Sequence, residues 1–158
     1  MSTISRAEFQ ALLEPVTNFI GEKPLDKSLQ DELNQEFPKG GDVFNGITQA
    51  CHDAIAAGWM CKYEDSGIKY GRVIKPAVET AGFSVDVVQM SDVVGPHHRH
   101  PQGEIDLIMP IDATAEFDQH REGWLVYGPD TAHNPTVSNG AALVLYLLPN
   151  GAIEFTGQ

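Results

Sequence analysis

One stretch of the sequence, from Gly95 to His133, limits what the chain can fold into more than any other part. It contains three histidines within four residues, a glutamate four positions after the last of them, and a further histidine at its end. His98 and His100 are two residues apart, so an extended strand directs both side chains to one face, about 7 Å apart at the backbone. Because metal–nitrogen bonds are about 2 Å long, two such imidazoles can converge on one ion.

A second strand is predicted to return a carboxylate to the same place. The residues from Pro101 to Gly103 have turn chemistry, so the next strand begins at Glu104 and continues to Met109. A third strand leads into a Gly-Pro-Asp turn that precedes His133. We therefore predict a site for one divalent transition metal ion, with Fe, Mn, Co, Ni and Zn all suited to imidazole and carboxylate ligands. Its predicted ligands are His98, His100, Glu104 and His133.

Two features of this site stay open at the level of the sequence. Glu104 is either a fourth ligand or an unbound general base beside three histidines. His97 points away from the site if the strand is regular, whereas a β-bulge before it would exchange the roles of His97 and His98. His52, in a helical pattern, and His120, in a polar turn, are interpreted as bystanders.

The spacing of apolar residues divides the chain into a helical segment, residues 1–60, and a strand-rich segment, residues 66–158, within a single domain. Ser5 and Glu8 can form a capping box for the first helix, and Asp26 can cap the second. After Trp59 the apolar period changes from about 3.6 to about 2. The predicted strands are 68–75, 83–90, 104–109, 123–127, 141–148 and 151–155.

Short strands separated by Gly and Pro turns, without alternating helices, predict a mainly β fold: an antiparallel barrel or jelly roll. The helical segment is interpreted as a packing cap or an oligomerisation surface, and a lid over the site is the alternative.

Composition narrows the function classes. The 158 residues carry a formal net charge of −12, which argues against nucleic acid and anionic membranes as partners. Cys51 and Cys61 are interpreted as reduced thiols of an intracellular protein, with a disulfide between them as the alternative. The N-terminus has no targeting pattern and no apolar run is long enough to span a bilayer, so we expect a cytoplasmic location.

The metal-site residues carry a resemblance to a known superfamily. Gly95 to Glu104, with its His-x-His-x-x-x-Glu spacing, resembles the first motif of the cupins, and Gly128 to His133 resembles the second. The second match is looser, because Thr131 stands near the usual place of a glycine. More narrowly, three runs resemble the bacterial 4-hydroxylaminobenzoate lyase family. These runs are 95–107, 123–124 and 145–155.

The resemblance implies a cupin-type double-stranded β-helix that holds the metal inside the barrel mouth. It also implies conversion of 4-hydroxylaminobenzoate and water to 3,4-dihydroxybenzoate (protocatechuate) and ammonia, in nitroaromatic degradation. That reaction is redox-neutral overall, and the sequence has no Gly-rich dinucleotide loop, so no nucleotide cofactor is expected. A bound divalent ion can assist heterolysis of the N–O bond as a Lewis acid. Cupins commonly dimerise, so a homodimer or higher homo-oligomer is expected.

Glu104, Asp106 and Arg72 are the predicted catalytic residues. Asp106 shares a strand face with Glu104, so it is predicted to face the barrel interior, where it orients a ligand or moves protons; a surface aspartate is the alternative. Arg72 lies among apolar strand neighbours and can grip a substrate carboxylate with two hydrogen bonds; a structural salt bridge is the alternative. Arg99 alternates with the ligands and is predicted to face outward.

Three aromatic residues are predicted to wall a slot for a small aromatic carboxylate, although barrel aromatics are often plain core. They are Tyr70, Trp124 and Tyr127. Two rival functions remain: an iron-dependent cupin dioxygenase acting on an aromatic acid or a small thiol, and a non-catalytic cupin that senses a ligand.

Overall fold

The computed structural model describes residues 4–156, in which three helices precede ten strands. The helices are α1 (Arg6–Ile20), α2 (Lys27–Glu36) and α3 (Asp42–Ala56). The strands are β1 (Tyr63–Asp65), β2 (Ile68–Ile74), β3 (Phe83–Val94), β4 (His98–His100), β5 (Glu104–Pro110), β6 (Glu116–Phe117), β7 (Gly123–Tyr127), β8 (Thr131–His133), β9 (Thr136–Pro149) and β10 (Glu154–Phe155). Within residues 4–156, no helix is long and apolar enough to cross a membrane.

Two of the helices begin with the predicted side-chain caps. The Ser5 hydroxyl accepts a hydrogen bond from the Glu8 backbone N–H at 3.1 Å, and the Glu8 carboxylate accepts one from the Ser5 N–H at 3.0 Å. The Asp26 carboxylate accepts from the Leu29 N–H at 2.9 Å. Each cap satisfies backbone donors that the first turn of a helix leaves unpaired.

The strands form two antiparallel sheets that face each other. The larger sheet has the order β1-β2-β3-β9-β5-β7, with β6 paired to β9, and the smaller has the order β10-β4-β8. The prediction of a mainly β fold of antiparallel strands with an N-terminal helical segment is confirmed. Strands β3 and β9 extend further than predicted, and β10 is shorter.

The two faces of the larger sheet meet different partners; both carry apolar side chains, and the inner face also carries polar groups such as Glu104 and Asp106. Its outer face packs against the three helices, and this cluster includes Val85, Ile105 and Leu145. Its inner face forms a second cluster, which includes Val88 and Ile108. The helices pack on the outer face of the sheet, and none of the described residues before position 61 lines the cavity inside the barrel.

Helix α2 also covers the open edge of the larger sheet. Strand β7 lies at this edge, and its Trp124 N–H donates to the Asn34 side-chain oxygen at 2.9 Å. The Asn34 amide in turn donates to the Trp124 carbonyl at 3.0 Å. The Val126 N–H donates to the Gln30 side-chain oxygen at 2.9 Å. Two amide side chains thus take the place of a neighbouring strand, which protects the edge from pairing with another chain.

Both cysteines are free and buried, as expected for reduced thiols. Burial raises the pKa of Cys61 to about 11, and burial likewise raises the pKa of Cys51. Because the thiolate is the reactive form, neither side chain is suited to nucleophilic chemistry at neutral pH.

The edge contacts predict the effect of substituting Asn34. Asn34→Ala removes the acceptor of the Trp124 N–H and the donor to its carbonyl, leaving two partly buried backbone groups without partners. We expect the free energy of unfolding to fall by about 1–3 kcal/mol, measured by urea denaturation of metal-free protein. Gln35→Ala, an exposed position on the same helix, is the matched control and should change stability little. Equal stability of the two variants would contradict a role for Asn34 at the sheet edge.

Candidate metal centre and cavity

The structure brings together the four side chains of the predicted metal site. Strands β4 and β8 pair antiparallel with His98 directly opposite His133, so these two residues and His100 all leave the small sheet on one face. Glu104 begins β5 on the inner face of the larger sheet, opposite them. One ligand atom from each of the four residues lies within 4.8 Å of all the others.

The turn before Glu104 depends on a glycine. Gly103 has a φ of +93°, in the region that side chains other than glycine rarely adopt. A Cβ at this position would lie 2.8 Å from the Tyr127 carbonyl oxygen and 2.7 Å from Leu25 Cδ2. The close approach lets β5 start directly after β4 and places Glu104 beneath the imidazoles.

The imidazole Nε2 atoms all point towards the glutamate. Glu104 Oε1 lies 3.3 Å from His100 Nε2 and 3.6 Å from His98 Nε2, and Oε2 lies 3.9 Å from His133 Nε2. The Nε2 atoms of His98 and His133 are 3.2 Å apart. Three nitrogen atoms and one carboxylate therefore surround a single point between the two sheets.

Asp118 determines how His133 is oriented. The His133 Nδ1–H donates to the Asp118 carboxylate at 2.6 Å, which turns Nε2 towards the centre. Asp118 also accepts from the Tyr127 hydroxyl and from the Thr136 N–H. Burial opposes ionisation of Asp118, but these hydrogen bonds outweigh it and lower its pKa, so Asp118 is a charged partner at neutral pH.

The other two imidazoles are held in the same way. The Thr131 hydroxyl donates to the Gly128 carbonyl at 2.8 Å, so its oxygen is left to accept from His100 Nδ1–H at 2.9 Å. His98 Nδ1–H faces the Pro96 carbonyl at 3.3 Å. In each of the three histidines, the contact at Nδ1 turns Nε2 towards the centre, where this atom can bind a metal ion.

The buried polar atoms of the site fit a cation. His100 Nε2 and both carboxylate oxygens of Glu104 are buried and have no hydrogen-bond partner among the described residues. A buried carboxylate without a partner is costly, and a divalent cation would compensate its charge. Donor atoms that bind one ion at 2.0–2.2 Å lie at most about 4.4 Å apart, so small side-chain movements complete the shell. This buried group of three histidines and one glutamate can hold a first-row transition metal.

The pKa values of the two buried carboxyl groups of β5, Glu104 and Asp106, are shifted in opposite directions. Burial opposes the charge on Glu104, but contacts with His100 and His98 outweigh it and lower its pKa to about 2. Burial and the negative charge of Glu104 both raise the pKa of Asp106. Asp106 is fully buried on the same inner face, as its position two residues after Glu104 predicts.

A cavity of about 720 Å³ opens beside this centre, and His98 forms part of its wall. Most of the wall is apolar, with Val88, Met90 and Phe155 among its residues. Besides His98, its polar side chains include Tyr70, Arg72, Asp86, Asn134 and Tyr146. The size and the mixture of apolar walls with few polar groups are typical of a site for a small organic ligand.

Comparison with known proteins agrees with this geometry. The model of the family described as PnbB, 4-hydroxylaminobenzoate lyase, matches residues 11–155. The chain belongs to the 4-hydroxylaminobenzoate lyase family. A relative of this name from Nocardioides sp. (strain LMS-CY) is 29% identical over 150 residues, covering 89% of both chains. Another from Pseudomonas putida is 28% identical over 156 residues, covering 88% of this chain and 89% of the relative.

Solved structures of more distant proteins have partly similar shapes. An RmlC-like cupin protein from Ralstonia eutropha JMP134 aligns over 54% of this chain and 57% of its own, with 11% identity and a TM-score of 0.40. The DMSP lyase DddQ from Ruegeria pomeroyi DSS-3 aligns over 94% of this chain and 95% of its own, with 18% identity and a TM-score of 0.40.

In this lyase-family chain, Arg72 lies on the cavity wall but already has an acidic partner. Its Nε donates to Asp86 Oδ1 at 2.8 Å and its Nη2 to Asp86 Oδ2 at 3.2 Å. Nη2 also donates to the Gly151 carbonyl at 3.4 Å. The predicted alternative, a structural salt bridge, is therefore present. Within residues 4–156, Arg72 Nη1 has no hydrogen-bond partner.

The three predicted slot aromatics lie in different places. Tyr70 is part of the cavity wall, and the Tyr127 ring stands beside the centre, 4.6 Å from the His133 ring and 5.4 Å from the His100 ring. The prediction for Trp124 is wrong. Its side chain is buried on the outer face of the sheet, where its Nε1–H donates to the Phe37 carbonyl at 3.0 Å.

The remaining histidines and Arg99 lie where they were predicted. His97 faces outward and contacts Thr156. His52 and His120 are exposed. Arg99 also faces outward, where it pairs with acidic residues of neighbouring segments. These residues are Asp130 and Glu154.

Sequence reasoning missed two residues and misjudged a third. Asp118 lies in a polar turn with no local sign of its contact with His133, and Tyr146 lies within an apolar run that indicates only core. Thr131 drew attention as a departure from the cupin pattern, whereas its hydroxyl orients His100. Only the pairing of β9 with β5 shows that Tyr146 lies on the same face of the sheet as Asp106.

The contact between Asp118 and His133 predicts a measurable change in metal affinity. Asp118→Ala removes the acceptor that holds the His133 ring, so metal binding should weaken about 10- to 100-fold in a competition with a chromophoric chelator. Glu122→Ala, an exposed acidic position nearby in the chain, is the control for lost negative charge and should bind metal as the wild type does. Unchanged affinity in Asp118→Ala would show that the ring needs no support from this carboxylate.

Proposed function

We propose that this chain is a metal-dependent lyase that converts 4-hydroxylaminobenzoate and water to 3,4-dihydroxybenzoate and ammonia. The observation that carries the proposal is that His98 belongs both to the group of four metal-binding side chains and to the wall of the cavity. The named activity of the relatives, over nearly the whole chain, supports the choice of reaction.

His98, His100, Glu104 and His133 would hold one divalent ion in this lyase. When bound, the ion supplies Lewis acidity that lowers the cost of breaking the N–O bond heterolytically. The Nδ1 partners of the three imidazoles fix the orientation of each ring, so the site is organised before the substrate arrives.

Arg72 would bind the carboxylate of the substrate. An anion approaching a chain of net charge −12 needs a local cation, and Arg72 is the one arginine or lysine among the residues that line the cavity. Its Nη1 group can donate to the substrate while Asp86 holds the other side of the guanidinium. Asp86 thereby fixes the direction of the arginine, at the cost of reducing its net charge.

Asp106 would move protons during the reaction. Its carboxyl group is buried on the inner face and its pKa is raised by burial and by the charge of Glu104, which suits a group that donates a proton and later recovers one. Glu104, which is charged and surrounded by imidazoles, is better suited to ligation than to acting as a free base. We therefore assign ligation to Glu104 and proton transfer to Asp106.

Metal dependence is tested by turnover of 4-hydroxylaminobenzoate under anaerobic conditions. Wild-type protein should release ammonia and 3,4-dihydroxybenzoate in equal amounts, and chelation should abolish turnover until metal is restored. His100→Ala should lower kcat/KM by more than about 100-fold, since even the loss of a group that supports a ligand costs about 10- to 100-fold in affinity or activity. His52→Ala, an exposed histidine on α3, is the control.

Three results would contradict the proposal. Full activity after chelation or in His100→Ala would remove the metal from the reaction. A requirement for oxygen during turnover would indicate a dioxygenase. Binding of aromatic acids with no turnover at any metal loading would indicate a ligand sensor.

The role of Arg72 is tested with a compensated pair of variants. Arg72→Gln should raise KM about 10- to 100-fold, the value of a lost charge-assisted hydrogen bond, with a smaller effect on kcat. Because this change also leaves Asp86 without its partner, the double variant Arg72→Gln, Asp86→Asn serves as the control for structure. If the double variant regains stability but keeps the high KM, Arg72 binds substrate. If the stability and the KM of the double variant both return to wild-type values, the ion pair between Arg72 and Asp86 is only structural.

A further inference from the structure

Tyr146 is a buried tyrosine on the cavity wall, and none of the roles proposed above involves its hydroxyl group. Its side chain is 6% exposed, and it lies in β9 on the inner face of the larger sheet. Its hydroxyl makes no hydrogen bond to any other residue between positions 4 and 156. Because buried tyrosine hydroxyls usually have a partner, one that borders a cavity is expected to find it in the ligand or in water.

The strand register places Tyr146 in a row of polar residues that crosses the barrel interior. Arg72 is opposite Asp86, Asp86 is opposite Tyr146, and Tyr146 is opposite Asp106. Neighbouring strands are about 4.8 Å apart, so the row extends from the substrate-binding arginine to within two residues of Glu104. Tyr146 lies nearer to the Asp106 end of this row, one strand away from it and two strands from Arg72.

The neighbours of Tyr146 in the row do not accept a hydrogen bond from its hydroxyl. The Asp86 carboxylate is engaged by Arg72, and both Asp106 oxygens are without a hydrogen-bond partner among the described residues. Burial raises the pKa of Tyr146, and the negative charge of Glu104 raises it further, so the hydroxyl keeps its proton and is available as a donor.

We propose that the Tyr146 hydroxyl donates a hydrogen bond to the hydroxylamino oxygen of the bound substrate. This inference rests on the proposed function, in which Arg72 holds the carboxylate at the other end of the ring. With the acid at Arg72, the para substituent extends along the row towards Tyr146, His98 and the metal-binding group. The substituent oxygen is the acceptor that this end of the cavity lacks.

Such a hydrogen bond would serve both selection and catalysis. A buried donor left unpaired penalises ligands that carry an apolar group in place of the oxygen. As the N–O bond breaks, its electron pair moves to the oxygen, and a hydrogen bond from a neutral phenol becomes stronger as that negative charge grows. Tyr146 would therefore contribute more to kcat than to substrate affinity.

The test uses two ligands of the same shape that contain no N–O bond. In 4-(hydroxymethyl)benzoate an oxygen replaces the hydroxylamino oxygen, and in 4-ethylbenzoate a methyl group does. Zinc-loaded wild-type protein should bind the first more tightly by calorimetry, because both the zinc ion and the Tyr146 hydroxyl can contact its oxygen. In zinc-loaded Tyr146→Phe this preference should fall about 10-fold, the value of one hydrogen bond to a buried donor, while zinc content and thermal stability stay at the wild-type level.

Tyr63→Phe is the matched control, because Tyr63 is 59% exposed on β1 and does not line the cavity. It should keep the wild-type preference between the two ligands. In turnover of 4-hydroxylaminobenzoate, Tyr146→Phe should lower kcat about 10- to 100-fold with a smaller change in KM, and Tyr63→Phe should not.

The outcomes separate this inference from the proposed function. If the wild type turns over 4-hydroxylaminobenzoate but Tyr146→Phe keeps the ligand preference, Tyr146 does not contact the oxygen and the proposed function stands. An equal loss of affinity for both ligands would mean that Tyr146 only shapes the cavity or contacts the carboxylate, which also overturns the inference. A wild type that neither binds these acids nor turns over the substrate would overturn the proposed function itself.

Discussion

The structure depends on the burial of one carboxylate among three imidazoles. Glu104 is completely buried, its two oxygens lack hydrogen-bond partners in the described part of the chain, and three Nε2 atoms surround it. A charge in this position is tolerated only if cationic groups or a metal ion compensate it. The supports of the imidazoles follow from that requirement, because each Nδ1 atom needs its own acceptor if Nε2 is to face the carboxylate.

The two faces of the larger sheet have different roles: the outer face contributes to the stability of the fold, and the inner face carries the polar groups of the site. Its outer face is covered by three helices, whose apolar contacts stabilise the fold, and α2 also covers the exposed edge of β7 with Asn34 and Gln30. This leaves the inner face free to carry polar groups, including the row from Arg72 to Asp106. Polar substitutions on the outer face would disrupt packing, whereas the inner face tolerates carboxylates because cations and a ligand cavity are nearby.

The alternation of side chains along a strand predicted much of the site correctly. The prediction for Trp124 was wrong because this alternation was not applied to it. The spacing of His98, His100 and Glu104 correctly placed these side chains on facing surfaces, and Asp106 followed from the same rule. Trp124 and Tyr127 are three residues apart on one strand, so they cannot share a face; only Tyr127 lies opposite Glu104. The same alternation that identified the ligands therefore excludes Trp124 from the cavity.

The sequence by itself determined the mainly β class, the helical segment, the helix caps and the set of four metal-binding residues, because these depend on spacing along a short piece of chain. Only the tertiary structure decided that Asp118 supports His133, that Asp86 holds Arg72, and that Tyr146 faces the cavity. These contacts join strands that are distant in the chain. Their partners depend on sheet order and register, which a period of two leaves undetermined.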